Sequence, residues 1–222
     1  MKPLSRWRSF WKVQSMPLHY GDTDEWYRRF AEEINGILDS CGYAGGAVME
    51  SGCGNGALFG YLNINKSDYL GVDFSENMLK IFRSKFPNVS LICADSSSFY
   101  VKRKFELIFS NGVVQYFDKS MLRRYVHNSH RMLYDGGILL AANIPMKRLR
   151  GSYRSGELIQ EPSTSKISLF LKELLYRFKK EDLGFWYNPK DFFDFARIGF
   201  KITLFGSLYH PYRFSIAMKK LF

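Results

Sequence analysis

A chain of 222 residues with 46% hydrophobic and 24% charged side chains has the size and composition of one globular domain with a substantial core. No uninterrupted apolar run reaches the ~18 residues of a membrane span, and three cysteines (Cys41, Cys53, Cys93) without a CxxC pair or a His/Cys cluster exclude a sequence-evident metal centre. The net charge of +11 favours anionic partners: nucleic acid, an acidic or phosphorylated small molecule, or a lipid surface.

Residues 1–18 form a basic aromatic arm, with Trp7, Phe10 and Trp11 among Lys2, Arg6, Arg8 and Lys12. The arm has no apolar signal-peptide core, and free thiols suit a reducing compartment, so a cytoplasmic protein is expected. Asp22, three residues before Glu25, reads as a capping box. Trp26, Phe30, Ile34 and Leu38 then trace one helical face that should stop near the stretch CGYAGG.

From there the pattern alternates. AVMES reads as a strand and GALFGYL as a helix. DYLGVDF is the second strand, followed by a helix with Ser75 as N-cap that runs to Phe86 before Pro87. VSLICAD is the third strand, FELIFSNG the fourth, KSMLRRYVHNSHRMLY a helix and GGILLAANIP the fifth strand. Apolar runs without in/out alternation belong to strands covered on both faces, which predicts a doubly wound α/β sheet.

Residues 147–188 interrupt this order within a single domain spanning 19–222. Their polar start precedes an apolar stripe of Ile167, Phe170, Leu171, Leu174, Leu175 and Phe178 at helical spacing. DFFDFARIGF is a further helix. KITLFGS and RFSIAMKK are strands joined by LYHPY, and so short a connection makes them antiparallel. The last strand therefore runs against a parallel sheet.

The stretch VMESGCGNGALFG, Val48 to Gly60, is a strand–glycine loop–helix signature that aims backbone N–H groups at a ligand. Read as G-x-G-x-x-A, with Asp73 downstream, it satisfies a dinucleotide fingerprint. Read as E-x-G-x-G-x-G, it begins with Glu50, a carboxylate that would repel a pyrophosphate and attract a cation. Glu50, Asp73 and Asp95 place an acid at the end of three consecutive strands.

In the motifs VMESGCGNG, YLGVDFSENML, LICADSSSF and FELIFSNGVVQYF, over roughly Asp22 to Lys220, the chain resembles the class I S-adenosylmethionine (SAM) dependent methyltransferases. The resemblance implies a seven-stranded sheet of order 3-2-1-4-5-7-6 with the last strand antiparallel. It also implies a cofactor site. Gly52, Cys53 and Gly54 pass under the methionine part, and Glu50 lies near its amino end or orders the loop. Asp73 takes the ribose hydroxyls, Phe74 and Met78 flank the adenine, Asp95 and Ser96 meet its edge, and Asn111 lies nearest the sulfonium. Cys53 has no basic sequence neighbour to activate it and reads as a small loop residue.

Methyl transfer is an in-line displacement that asks the protein for positioning and, for a hydroxyl acceptor, for a base. Many small-molecule members carry a histidine after the fourth strand; here Gln115 takes that place and cannot act as a base. The Pro-Pro-aromatic motif of DNA and protein-glutamine methyltransferases is missing, and NIPM at 143–146 is no substitute. His127 and His130 lie along a helix, away from the rim. His210, between the last two strands, is the first candidate base and His19 the second, with Tyr20, Tyr27, Tyr209 and Tyr212 as pocket walls. Residues 147–180 hold nine Lys/Arg against three Glu, so this expected lid, through Arg150 and Arg154, favours an anionic acceptor such as a nucleotide- or lipid-linked sugar. The alternatives are an RNA methyltransferase or a non-catalytic SAM- or NAD-binding domain. Residues 1–16 and 166–180 could also touch a membrane surface.

Overall fold

The computed structural model describes residues 24–154 and 184–222, together with Ser9, Trp11 and Leu158. His19, Tyr20, the capping-box residue Asp22, most of the basic arm and the 167–178 stripe lie outside the described residues, as does the Arg154 side chain. Helix α1 (Asp24–Ser40) buries Phe30, Ala31, Ile34, Ile37 and Leu38, the face its periodicity predicts. Strands β1 (Val48–Ser51), β2 (Tyr69–Asp73), β3 (Ser90–Cys93), β4 (Phe105–Asn111) and β5 (Leu133–Pro145) run parallel. With β6 (Phe200–Gly206) and β7 (Arg213–Lys220) they form a seven-stranded sheet of order β3-β2-β1-β4-β5-β7-β6. Strand β7 is antiparallel to both β5 and β6, as its short link to β6 requires.

Successive residues on each strand point to opposite faces, so the sheet carries two cores. Val48, Tyr69, Leu107 and Phe109 pack with α1 and with Leu79 and Phe82 of α2 (Glu76–Lys85). Met49, Leu70, Val72 and Ile108 pack with α3 (Lys119–Met132), through Leu122, Tyr125 and Val126. Phe82 is fully buried and its ring lies against Phe59, Tyr69 and Phe86. Truncating it to alanine would cost about 3–5 kcal/mol. Both helices start at side-chain caps: Ser75 accepts the Met78 amide and Asp118 the Met121 amide.

Four expectations need correction. Gly56–Leu62 is a run of turns, not a helix, with i to i+3 bonds such as Phe59 N–H to the Gly56 carbonyl. Two glycines in seven residues leave too few hydrogen bonds to offset the cost of helix nucleation, although Leu58, Phe59 and Leu62 still enter the core. Strand β3 ends at Cys93, so Asp95 lies two residues beyond it. Strand β5 starts at Leu133, inside the segment expected as helix, and a register shift at Phe105/Leu107 takes up the extra residues. The segment DFFDFARI is a short helix α5 (Lys190–Phe193) continued by a 3-10 turn over Asp194–Ile198, closed by Gly199 at φ +96.

Candidate active site

The glycine loop leaves the C-terminal end of β1, where β2 and β4 lie on either side. Gly52 has φ +73, and a Cβ there would sit 2.3 Å from Val113 Cγ2, so β4's exit loop closes against a residue that must be glycine. Gly54 also has positive φ, but a Cβ on it would meet nothing within 4 Å. Its amide donates to Asp73 Oδ2 at 3.0 Å, and the Ser75 amide donates to Oδ1 at 2.8 Å. One carboxylate thus ties the loop to the start of α2, and each oxygen retains a lone pair for a further donor.

Glu50 lies within β1, one residue before its end. It is 3% exposed, and Oε2 accepts the Tyr69 hydroxyl at 2.5 Å. Burial pushes its carboxyl up to about 8; the phenol pulls it back and the neighbouring Asp73 raises it further. Burial also raises Asp73, against three backbone N–H bonds, and carries the Cys53 thiol well above its usual range. Cys53 is therefore a buried neutral thiol of the loop, consistent with a small-residue role.

Phe74 follows Asp73 and is half-buried; Met78 is buried but belongs to neither apolar core. Both follow Asp73 in the chain, Phe74 directly and Met78 in the first turn of α2. The Ser75 hydroxyl donates to the Trp11 carbonyl at 2.9 Å, and the Trp11 ring meets Tyr116 edge-on at 6.1 Å. The arm at Trp11 thereby bridges the ends of β2 and β4, a contact with no signal in the sequence. Asp95 turns Oδ1 back onto Ser97, accepting its amide and hydroxyl. Ser96 is buried beside the end of β2, its hydroxyl 3.5 Å from the Val72 carbonyl.

On the other side of the crevice, Asn111 ends β4 and Gly112 donates to the Ala142 carbonyl. Gln115 lies beneath the rim. Its Nε2 donates to the Gly112 carbonyl at 2.7 Å, and its Oε1 accepts from Arg213 at 3.3 Å. Arg213, 2% exposed, also donates to the Asn143 carbonyl at 2.7 Å. Asn143 is the one non-glycine residue with positive φ (+63) among the described residues, at the register shift where β5 bends against β7. Neither Asn143 nor Arg213 stood out in the sequence, because a bulge and a cross-strand partner have no linear signature.

His210 sits in an aromatic stack, 5.3 Å from Trp26, 5.5 Å from Phe30 and 5.6 Å from Tyr212 between ring centroids. Burial, then the Arg213 charge, lowers it to about 4, so it is neutral at pH 7 and a weak base. The connection that carries it is pinned to α1: Glu33 accepts the Ser207 hydroxyl and the Leu208 amide, both at 3.0 Å, and Tyr209 donates to Glu32. Tyr27 packs against the α1 core. Tyr212 continues the stack to Tyr153 (4.6 Å) and Trp186 (6.2 Å). Trp186 reaches this place because Phe185 donates to the Gln115 carbonyl and Tyr187 to the Pro145 carbonyl. Lys147, whose amide donates to the Tyr187 carbonyl, and Arg148 are exposed, and Arg150 opens helix α4 (Arg150–Arg154). His130 packs edge-on against Phe200, on the remote side as expected.

This sheet order is that of the class I methyltransferase fold. Residues 48–137 match the family model of the methyltransferase domain. The malonyl-[acyl-carrier protein] O-methyltransferase of Priestia megaterium is 33% identical over 98 residues, 42% of this chain and 35% of that protein. Its counterpart from Enterobacter lignolyticus is 30% identical over 142 residues, 62% of this chain and 55% of that protein. The chain thus spans about a third to a half of the length of these relatives. A SAM-dependent methyltransferase from Clostridium acetobutylicum superposes with a TM-score of 0.61 at 15% identity, over 97% of this chain and 98% of that one. Residues 48–137 are thus similar to a methyltransferase domain, and the sheet that holds them has the class I fold.

The residues present fit the cofactor of this class. The space in front of Gly54 is open, Asp73 is anchored with lone pairs to spare, and acids rather than cations border the loop. No group of three or more His, Cys, Asp or Glu among the described residues is arranged to hold a metal ion.

Proposed function

We propose that this chain transfers a methyl group from SAM to a small anionic acceptor, such as a nucleotide-linked or lipid-linked sugar. The observation that carries the cofactor half is the glycine loop tied to Asp73 at 3.0 Å with Glu50 behind it. Such a loop suits a ligand with an ammonium and a sulfonium and no phosphate. SAM supplies an activated methyl carbon; the chain's residues hold, orient and exclude water. Asp73 takes the ribose, Phe74 and Met78 flank the adenine, and Asn111 and Gly112 border the reacting end.

The acceptor half rests on the aromatic wall of Tyr153, Trp186 and Tyr212 beside the cations Lys147, Arg148 and Arg150. Ring faces hold a sugar or base, and cations hold its charge. His210 accepts the proton if the acceptor is a hydroxyl.

A second reading is a carboxylate acceptor carried by an acyl carrier protein. The names of the two matched relatives favour it. So does His210, since a carboxylate arrives ionised and needs no base, and a group held near 4 is a weak one. The test is incubation with labelled SAM and separate pools of sugar nucleotides, carrier-linked acids and RNA. Label in the first pool supports the main reading, label in the second the alternative, and label only in RNA refutes both.

A further inference from the structure

Tyr69 opens the YLGVDFSENML stretch, and its hydroxyl donates to Glu50, the acid that precedes the glycine loop. It opens β2 opposite Val48, and its ring leans along the sheet toward Glu50, which pairs with Gly71. Gly71 makes that lean feasible: a Cβ there would lie 2.6 Å from Leu91, 2.9 Å from Cys53 Sγ and 3.2 Å from the Tyr69 ring. The ring is wedged by Phe59 at 4.8 Å and Phe82 at 6.2 Å, so its hydroxyl has one direction to point. That direction is Glu50 Oε2, at 2.5 Å in a site with no solvent exposure to speak of.

We propose that Tyr69 is the positioning residue of a proton-coupled cofactor anchor: Glu50 gives up its proton as the cationic cofactor enters, and Tyr69 holds the carboxylate that results. The inference rests on SAM binding at the glycine loop. Two carboxyls, Glu50 and Asp73, share one buried site, and like charges there oppose double ionisation. Asp73 carries its charge with three backbone N–H bonds in support, whereas Glu50 has the Tyr69 phenol. Among the described residues, the other titratable or charged groups acting on this cluster include the Cys53 thiol of the loop, Arg83 of α2 and the Cys93 thiol at the end of β3. An arriving ammonium replaces the lost proton's charge; the Glu50 O–H bond breaks and the proton leaves to the buffer. The direction agrees with a carboxyl held near 8 without ligand: it is mostly protonated at pH 7, and the release fades once the pH exceeds that value.

The test is calorimetry with S-adenosylhomocysteine, which keeps the ammonium, in phosphate and in Tris. The dependence of the heat on the buffer's ionisation enthalpy counts protons. Wild type should release roughly half to one proton more than Glu50→Gln at pH 7. Tyr69→Phe removes the donor that favours the charged form. It should bind roughly tenfold or more weakly at pH 7 and still release its proton at pH 9, where wild type no longer does. A Tyr69 that merely fills space would weaken binding without moving that pH range. Binding by wild type with equal heats in both buffers overturns the inference, as does a Tyr69→Phe release that fades at the wild-type pH. Absence of any binding instead overturns the cofactor reading beneath it.

Discussion

The Asp73 carboxylate accepts the Gly54 amide at 3.0 Å and the Ser75 amide at 2.8 Å, so one side chain joins the glycine loop to the helix after β2. Asp73→Ala should therefore weaken SAM binding by roughly 10- to 150-fold, the ~1.5–3 kcal/mol of a hydrogen bond to a charged group. Titration calorimetry reads this directly, with circular dichroism as the check that the fold survives. Unchanged affinity would remove Asp73 from the site.

Gly52→Ala tests the closure of the loop on the fourth strand. The new Cβ would lie 2.3 Å from Val113 at a backbone φ of +73. A left-handed conformation costs a residue with a Cβ about 1–2 kcal/mol, and overpacking adds roughly 1–3 kcal/mol. Thermal unfolding should show the loss, and Val113→Ala in the same chain should recover part of it. Recovery to nothing would mean the contact is not the cause.

How far these features were legible depends on whether their cause is local. Ser75 as N-cap could be read because a short hydroxyl side chain before an apolar-periodic segment is a local arrangement, and the structure has it accepting the Met78 amide. The antiparallel last strand followed from the length of the LYHPY connection. GALFGYL misled because its apolar spacing is helical while its two glycines are not. For Glu50 the sequence leaves two readings, near the cofactor's amino end or ordering the loop, and only the cross-strand reach of Tyr69 shows how it is enclosed. Gln115 follows the fourth strand as the resemblance implies, but its amide is held by Gly112 and Arg213, one of them 98 residues away. Partners that distant leave no trace in spacing.

Glu50 also makes a pH prediction for the ligand-free protein. Its folded pKa, about 8, lies above the ordinary 4.5, so its effect on stability is nil below about 4.5. As pH rises from 4.5 through 8 the folded state resists ionisation and stability falls. Glu50→Gln, which cannot ionise, should melt at a higher temperature than wild type at pH 8–9, and that advantage should shrink on acidification. An advantage independent of pH would show that Glu50 stays charged in the fold.

His210 has the opposite sign. Its pKa is depressed to about 4 from 6.5, so its favourable packing is complete above about 6.5 and is lost as pH falls through 4. His210→Phe should flatten the fall in melting temperature between pH 6.5 and 4. If His210 is also the base, His210→Ala should lower kcat about 10²–10⁴-fold with SAM affinity unchanged. Full turnover would instead favour an acceptor that arrives ready to react, a carboxylate or a neutral amine.

The proposed anionic acceptor makes the cationic rim testable. Replacing Arg148 and Arg150 by alanine should raise KM for an anionic acceptor several-fold, and the effect should shrink above ~0.5 M salt because screening weakens exposed charges. Steady-state kinetics at two salt concentrations decides it. An indifferent double variant would point to an uncharged acceptor.

The central claim is that the loop after β1 takes SAM rather than a dinucleotide. Titration of the intact chain with SAM and, separately, with NAD tests it most directly. Saturable one-to-one binding of SAM that Asp73→Ala weakens, with no heat from NAD, is the expected result. Binding of NAD, or a chain indifferent to SAM, would contradict it.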